Sequence, residues 1–305
     1  MRKIVLERLA HALFVVFGVS LIAFLLVHLT GDPATLLLPL DATPEARAEF
    51  SRAMGFDRPL AAQYLDFLVR AVRGDFGNSL RFQQPAMGLV IERLPATAQL
   101  AAVAMGLAII IGVPAGVLAG VRRGSWLDRA SMLLSLAGQC LPSFWVGLML
   151  IIVFAVQLRL LPVSGGGTVL HLVLPGLTLS FYTMALVARL LRSNMLDAMS
   201  SDYIRTARAK GLNERAVVVR HALKNAAIPV VTVIGLSAGY LLGGAVIVEQ
   251  VFAYPGLGRL VYQAISNRDV PLVQAFVVFI ALVVLSINLV VDVAYTLVDP
   301  RVRYD

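Results

Sequence analysis

A chain of 305 residues that is 59% hydrophobic and only 14% charged, with a mean hydropathy of +0.82, carries more apolar side chain than a soluble domain of its size normally does. One cysteine, Cys140, excludes an intrachain disulfide and a cysteine-cluster metal site, and the four histidines (His11, His28, His171, His221) show no metalloprotease pairing. The formal net charge of +8 reads as membrane orientation rather than nucleic-acid binding, because the excess cations sit in particular connections between apolar stretches.

Six stretches qualify as transmembrane helices: approximately Leu9–Leu29, Ala98–Val121, Ser131–Val156, His171–Leu191, Ile228–Val248 and Val273–Val298. About 20 residues at about 1.5 Å rise cross a hydrocarbon core of about 30 Å. The expected fold class is all-α, a polytopic membrane protein. Arg2, Lys3 and Arg8 precede the first stretch, as in a secretion signal. Its apolar run is too long for one and no small-x-small cleavage site follows, so it reads as a retained anchor.

Residues 1–29 form a cytoplasmic N-terminus and the first span, with His28 at the outer interface. Residues 30–97 read as a folded extracytoplasmic loop. In it Thr43 and Pro44 open a helix that runs to about Met54. Pro59 opens another, with Leu60, Tyr64, Phe67, Leu68 and Ala71 on one face, and Gly74 stops it. Residues 98–305 hold the other five spans and a cytoplasmic loop at about 192–227.

Orientation follows from the connections. The N-terminus, the second-to-third connection (Arg122, Arg123 and Arg129 against Asp128) and the fourth-to-fifth connection are basic and share the cytoplasmic side. The third-to-fourth connection holds only Arg159, with Gly165–Gly167 read as a flexible turn. In the fifth-to-sixth connection, Glu249 and Asp269 balance Arg259 and Arg268. Both termini are expected in the cytoplasm.

The fourth-to-fifth connection is the most informative part of the chain. Counting Arg189 and Arg192 at its entrance, it holds eight Lys/Arg against Asp197, Asp202 and Glu214. Ser200, Ser201 and Asp202 offer N-caps for a helix from about Tyr203 to Lys210. Gly211 ends or bends that helix, and a second follows from about Asn213 to Lys224. Leu212, Ala216, Val219 and Leu223 fall on one apolar stripe at helical spacing, with Arg215, Arg220 and Lys224 elsewhere. Such an element suits a groove in a partner protein or the surface of an anionic membrane, and its residues alone favour neither.

Other chemistry finds little support. Lys3, Lys210 and Lys224 are followed by Ile, Gly and Asn, so none is a P-loop lysine. Ser164 with His171 lacks the Gly-x-Ser-x-Gly frame of a serine hydrolase. Gln139, Ser286, Asn288 and Asp292 are the intramembrane polar residues that either line a pathway or tie helices together.

The 202–229 segment resembles the cytoplasmic EAA loop of binding-protein-dependent ABC importer permeases. That pattern is Glu-Ala-Ala, three residues, Gly, nine residues, then Ile-x-Leu-Pro. Arg205-Thr206-Ala207, Gly211 and His221-Ala222-Leu223-Lys224 occupy it here. The Gly spacing and the Leu match; the Glu, the Ile and the Pro do not, and Arg205 reverses the charge of the Glu. GDFGNSL, ERLPATAQLA, LPSFWVGL, LPVSGGG, VFAYPGLGRL and LVDPRVR all look like the dipeptide/oligopeptide/nickel branch, in its peptide permease B-type subunit.

The resemblance implies a type I ABC importer architecture in a bacterial inner membrane, without catalytic residues, bound cofactor or nucleic acid. This chain would form half of a path for di- or oligopeptides. A second homologous permease, two cytoplasmic ATPase subunits carrying ATP and Mg, and an extracytoplasmic solute-binding protein would complete the transporter. Arg205, Thr206, Ala207, Arg208, Lys210, Gly211 and Leu212 would couple it to the ATPase. A nickel or glutathione permease is the alternative within the family. A stand-alone secondary transporter would want midplane charges and inverted repeats, neither of which is clear here.

Overall fold

The computed structural model describes residues 14–25, 43–55 and 57–298, without the side chains of residues 47, 50, 53, 54 and 291–298. The described chain is helical, with no strand beyond a single bridge between Asn78 and Pro85. In chain order the helices are α1 (Phe14–Leu25), α2 (Pro44–Met54), α3 (Leu60–Val72), α4 (Ala86–Val121), α5 (Trp126–Cys140) and α6 (Ser143–Gln157). They continue with α7 (Leu170–Ser200), α8 (Asp202–Ala209), α9 (residues 214–226), α10 (Ile228–Val251), α11 (Leu257–Ser266) and α12 (Val270–Val298).

Among the described residues α4, α7, α10 and α12 are each long and apolar enough to cross a membrane, and α5 with α6 makes a fifth span if the bent pair counts as one. The expected first span is described only over α1. His11, His28 and the basic N-terminus lie outside the described residues.

Two expectations about the spans need correction. The third span is not one helix: α5 and α6 meet at 114°. Leu141, before a proline, takes an extended conformation (ψ 130°), and Pro142 has no N–H to continue the ladder. The fourth helix outruns its apolar stretch by nine residues, to Ser200, carrying Arg192 with it.

The chain divides into two compact units. The first comprises residues 1–95 and 259–289. In it Thr43 caps α2, its hydroxyl accepting from the Ala46 N–H, as its position before Pro44 predicts. Tyr64 and Phe67 of α3 are buried against Phe17 and Phe24 of α1, and the Tyr64 hydroxyl meets Ser20 Oγ at 2.8 Å. Leu60, expected on the same face, is exposed. Asp269 is fully buried at the start of α12, where it accepts from the Ser79 hydroxyl and the Leu272 N–H. It does not act as a surface counter-charge to Arg268.

The second unit comprises residues 96–258 and 290–305, and α7 is its spine. Gly112, Gly116 and Gly120 of α4 bring that helix against α7. A Cβ at Gly116 would lie 2.7 Å from the Ala188 carbonyl, and one at Gly120 2.5 Å from Met195 Cβ. Small residues four apart permit such close helix contact. On another side, α5 abuts α7 where Gly138 faces Ala185. Glu249, at the end of α10, is also fully buried: it accepts from Thr97 Oγ1 at 2.6 Å, and that same oxygen accepts from the Leu257 N–H at 2.8 Å. The Gly165–Gly167 turn is held, since the Gly165 N–H donates to the Phe252 carbonyl at 2.9 Å and Gly166 lies against Pro255.

Candidate functional site

Beyond α7 the chain makes an elbow from α8, a turn and α9. Ser201 is extended and starts α8. At its end the Gly211 N–H donates to Arg208 O and the Leu212 N–H to Ala207 O, with Gly211 at φ 79°. These are the two bonds of a Schellman cap, and its left-handed position is why Gly stands there. Asn213 then caps α9, its side chain accepting from the Ala216 N–H at 2.8 Å. The Arg208 guanidinium spans the turn to Glu214, with contacts of 2.7 and 3.2 Å. This bond holds the Glu214 carboxyl below its ordinary pKa, against a smaller opposing effect of burial.

The apolar underside is Ile204, Ala207, Val217, Ala222 and Ala226, packed on Val187, Leu191 and Met195 of α7. This corrects the stripe expected from α-helical spacing. Leu212 and Val219 are exposed, and the buried positions are 217, 222 and 226. The cause is local: α9 is a π-helix from Val217 to Ala222, between α-helical Glu214–Ala216 and Leu223–Ala226. A π-turn inserts one residue, so the buried face advances five positions rather than four. The Asn194 amide donates to Ala226 O at 3.1 Å, which fastens the end of α9 to the spine.

Of the residues expected at a coupling surface, Arg205, Thr206, Arg208, Lys210, Gly211 and Leu212 face solvent and Ala207 faces the underside. Arg205 pairs with Asp202 at 2.9 Å, both side chains being well exposed. Among the described residues Lys210, Arg215, Arg220 and Lys224 take no ion pair. The outer surface of the elbow is therefore cationic, with Tyr203, Leu212 and Val219 exposed among the charges.

Sequence reasoning misses how the elbow is anchored. Arg192, near the end of α7, grips Asp128 at the start of α5 through both prongs of its guanidinium, the second at 3.0 Å. Asp128 also accepts from the Gly124 N–H at 2.9 Å. In the sequence both residues count only toward the charge of their connections. The Gly112/Gly116/Gly120 spacing is a usable signal for the α4–α7 contact.

The intramembrane polar residues separate. Gln139 lines a cavity of about 210 Å³ in the second unit, at the α5–α6 break, with Ser143, Thr178, Tyr182 and Tyr240. The Ser286 hydroxyl donates to Leu282 O of its own helix, and Asn288 is exposed on α12. The Asp292 side chain lies outside the described residues.

Residues 112–304 match the family described as binding-protein-dependent transport system inner membrane component, and residues 1–101 match the N-terminal region described for such membrane components. The chain belongs to this family. The permease is 42% identical over 305 residues to the glutathione transport system permease protein GsiC of Escherichia coli K12, covering all of both chains. It is also 42% identical to a probable peptide ABC transporter permease, y4tP, of Sinorhizobium fredii, covering 98% of this chain and 99% of that one. Its fold is shared with an inward-facing MetNI methionine ABC transporter (TM-score 0.58, 21% identity, 70% of this chain and 97% of that one). A second likeness is to an amino acid ABC transporter (TM-score 0.54, 16% identity, 68% and 93%). The protein is thus an ABC importer permease of the inner membrane, a non-catalytic subunit of a family without a cofactor of its own that works with ATPase and substrate-binding partners.

Proposed function

We propose that this permease forms half of a transmembrane path for di- or oligopeptides. A second homologous permease supplies the other half. A solute-binding protein delivers the peptide on the side of residues 30–97, and two ATPase subunits carrying ATP and Mg dock on the opposite side. Full-length identity to permeases named for glutathione and for peptide carries this reading. Glutathione is itself a tripeptide, so both names point to a chain of amides rather than to a nickel chelate.

The elbow supplies the docking surface through Arg205, Thr206, Arg208, Lys210, Gly211 and Leu212, with Ala207 holding it from below. Its underside is packed on α7, so a push on α8 moves α7 as one body. Transport needs such an element with two discrete positions and different contacts in each. Both termini share the cytoplasmic side with the elbow.

The test is uptake by proteoliposomes holding the permease with its partner subunits and binding protein. Glutathione or a dipeptide enters only with internal ATP and binding protein, and still enters when the proton gradient is collapsed. A thiol label on Lys210→Cys reacts from the ATP side. Uptake driven by the proton gradient without ATP, or labelling from the binding-protein side, overturns the reading.

A further inference from the structure

The cavity at the α5–α6 break has features that bear on what passes it. Its lining holds no Asp, Glu, Lys, Arg or His, so nothing in it would compensate a formal charge. Several of its polar groups are nevertheless unspent. Gln139 uses its amide N–H on Ser135 O at 2.9 Å, which leaves its side-chain carbonyl open. Among the described residues, Ser143 Oγ and the hydroxyls of Tyr182 and Tyr240 take no hydrogen bond. Several other hydroxyls in the spans are spent locally: Thr178, Ser180, Ser237 and Ser286 each donate to a carbonyl of their own helix, although Thr183 Oγ1 on α7 is buried without a partner. Tyr182 and Tyr240 stand with ring centres 4.9 Å apart and form an aromatic wall.

The backbone is also irregular at this point. Pro142 breaks the helix ladder, and a broken helix is tolerated within a membrane where it lines a cavity. At about 210 Å³ the space is below the roughly 300–1,000 Å³ that encloses a whole drug-sized ligand, so it fits one segment of a longer molecule.

We propose that this cavity is a contact site for the backbone of a peptide in transit, with Gln139, Ser143, Tyr182 and Tyr240 hydrogen-bonding its amide groups. This rests on the peptide permease reading and adds the residues that touch the cargo. A neutral site rich in donors and acceptors matches peptide groups, which present one of each per residue. The charged ends and side chains of the cargo lie outside it.

The test uses the whole reconstituted transporter with its binding protein, and labelled triglycine and glutathione as probes. Tyr182→Phe with Tyr240→Phe keeps both rings and removes only the hydroxyls. Two lost hydrogen bonds weaken the contact with peptide by about tenfold, and the peptides carried per ATP should fall. A benzophenone side chain placed at Tyr240 should capture labelled peptide during turnover, and one at Leu133, outside the lining, should not. Unchanged transport per ATP in the double variant and in Gln139→Leu, or equal capture at both positions, overturns the contact site alone. A wild-type transporter that carries neither peptide overturns the functional reading and this inference together.

Discussion

Arg192 and Asp128 form a two-pronged ion pair that joins the elbow end of α7 to the start of α5. Asp128 is only 6% exposed and Arg192 22%. The pair joins α7, which carries the elbow, to α5, which ends at the cavity. Asp128→Ala leaves the guanidinium half-buried without a partner. Breaking a buried pair this way costs about 3 kcal/mol, the low end for such sites because Arg192 keeps some water. The thermal midpoint of the purified complex should fall by several degrees. Exchanging the charges, Asp128→Arg with Arg192→Asp, should recover part of the loss.

Gly116 should tolerate no side chain. Its Cβ would sit 2.7 Å from the Ala188 carbonyl and 2.9 Å from Leu191 Cβ, so α4 and α7 must part. Gly116→Val should cost about 1–3 kcal/mol, the usual range for overpacking, and reduce the yield of folded protein. Gly106→Ala, on the same helix with nothing within 4 Å, should be neutral in the same thermal assay.

Gly211 is required for its backbone angle and not for space. A Cβ there meets nothing within 4 Å, but φ is 79°. A β-branched residue in that conformation is strained by about 1–2 kcal/mol or more. Gly211→Val should therefore misplace α8 and uncouple ATP hydrolysis from uptake. Gly211→Asn, which accepts left-handed angles, should retain most coupling. The measurement is peptide carried per ATP.

The turn between α8 and α9 should loosen in acid. Arg208 holds the Glu214 carboxyl below its ordinary value of 4.5. A depressed carboxylate contributes its stability in full above that ordinary value and loses it as pH falls through the lower folded one. The protection factors of the amides from Lys210 to Ala216, taken against the intrinsic exchange rate at each pH, should be insensitive to this pair between pH 6 and 8 and fall below the ordinary carboxylate range. Glu214→Gln should show the lower protection already at neutral pH.

Caps and stops are legible from the residues alone. Thr43 before Pro44, Gly74 after α3 and Gly211 after α8 act within a few residues of themselves, so their meaning travels with the sequence. Face assignment fails where the period changes. Leu212, Ala216, Val219 and Leu223 fit an α-helical stripe, but the π-turn over Val217–Ala222 moves burial to Val217, Ala222 and Ala226. Hydropathy also runs straight through Leu141-Pro142, because an averaged window does not register a break in the backbone ladder. Gln139 stands out as a polar residue in a span, but Tyr182 and Tyr240 pass as ordinary interfacial aromatics until the fold places them beside it.

A helical membrane protein, its family and a basic elbow turning at Gly211 are all legible in the residues, since apolar length, loop charge and capping are properties of near neighbours in the chain. The packing of the helices brings Asp128 to Arg192 across 64 positions and Thr97 to Glu249 across 152, and sets a neutral cavity at the break in the third span. A charge or glycine far along the chain acquires its partner from how the helices pack, and no local pattern encodes that choice.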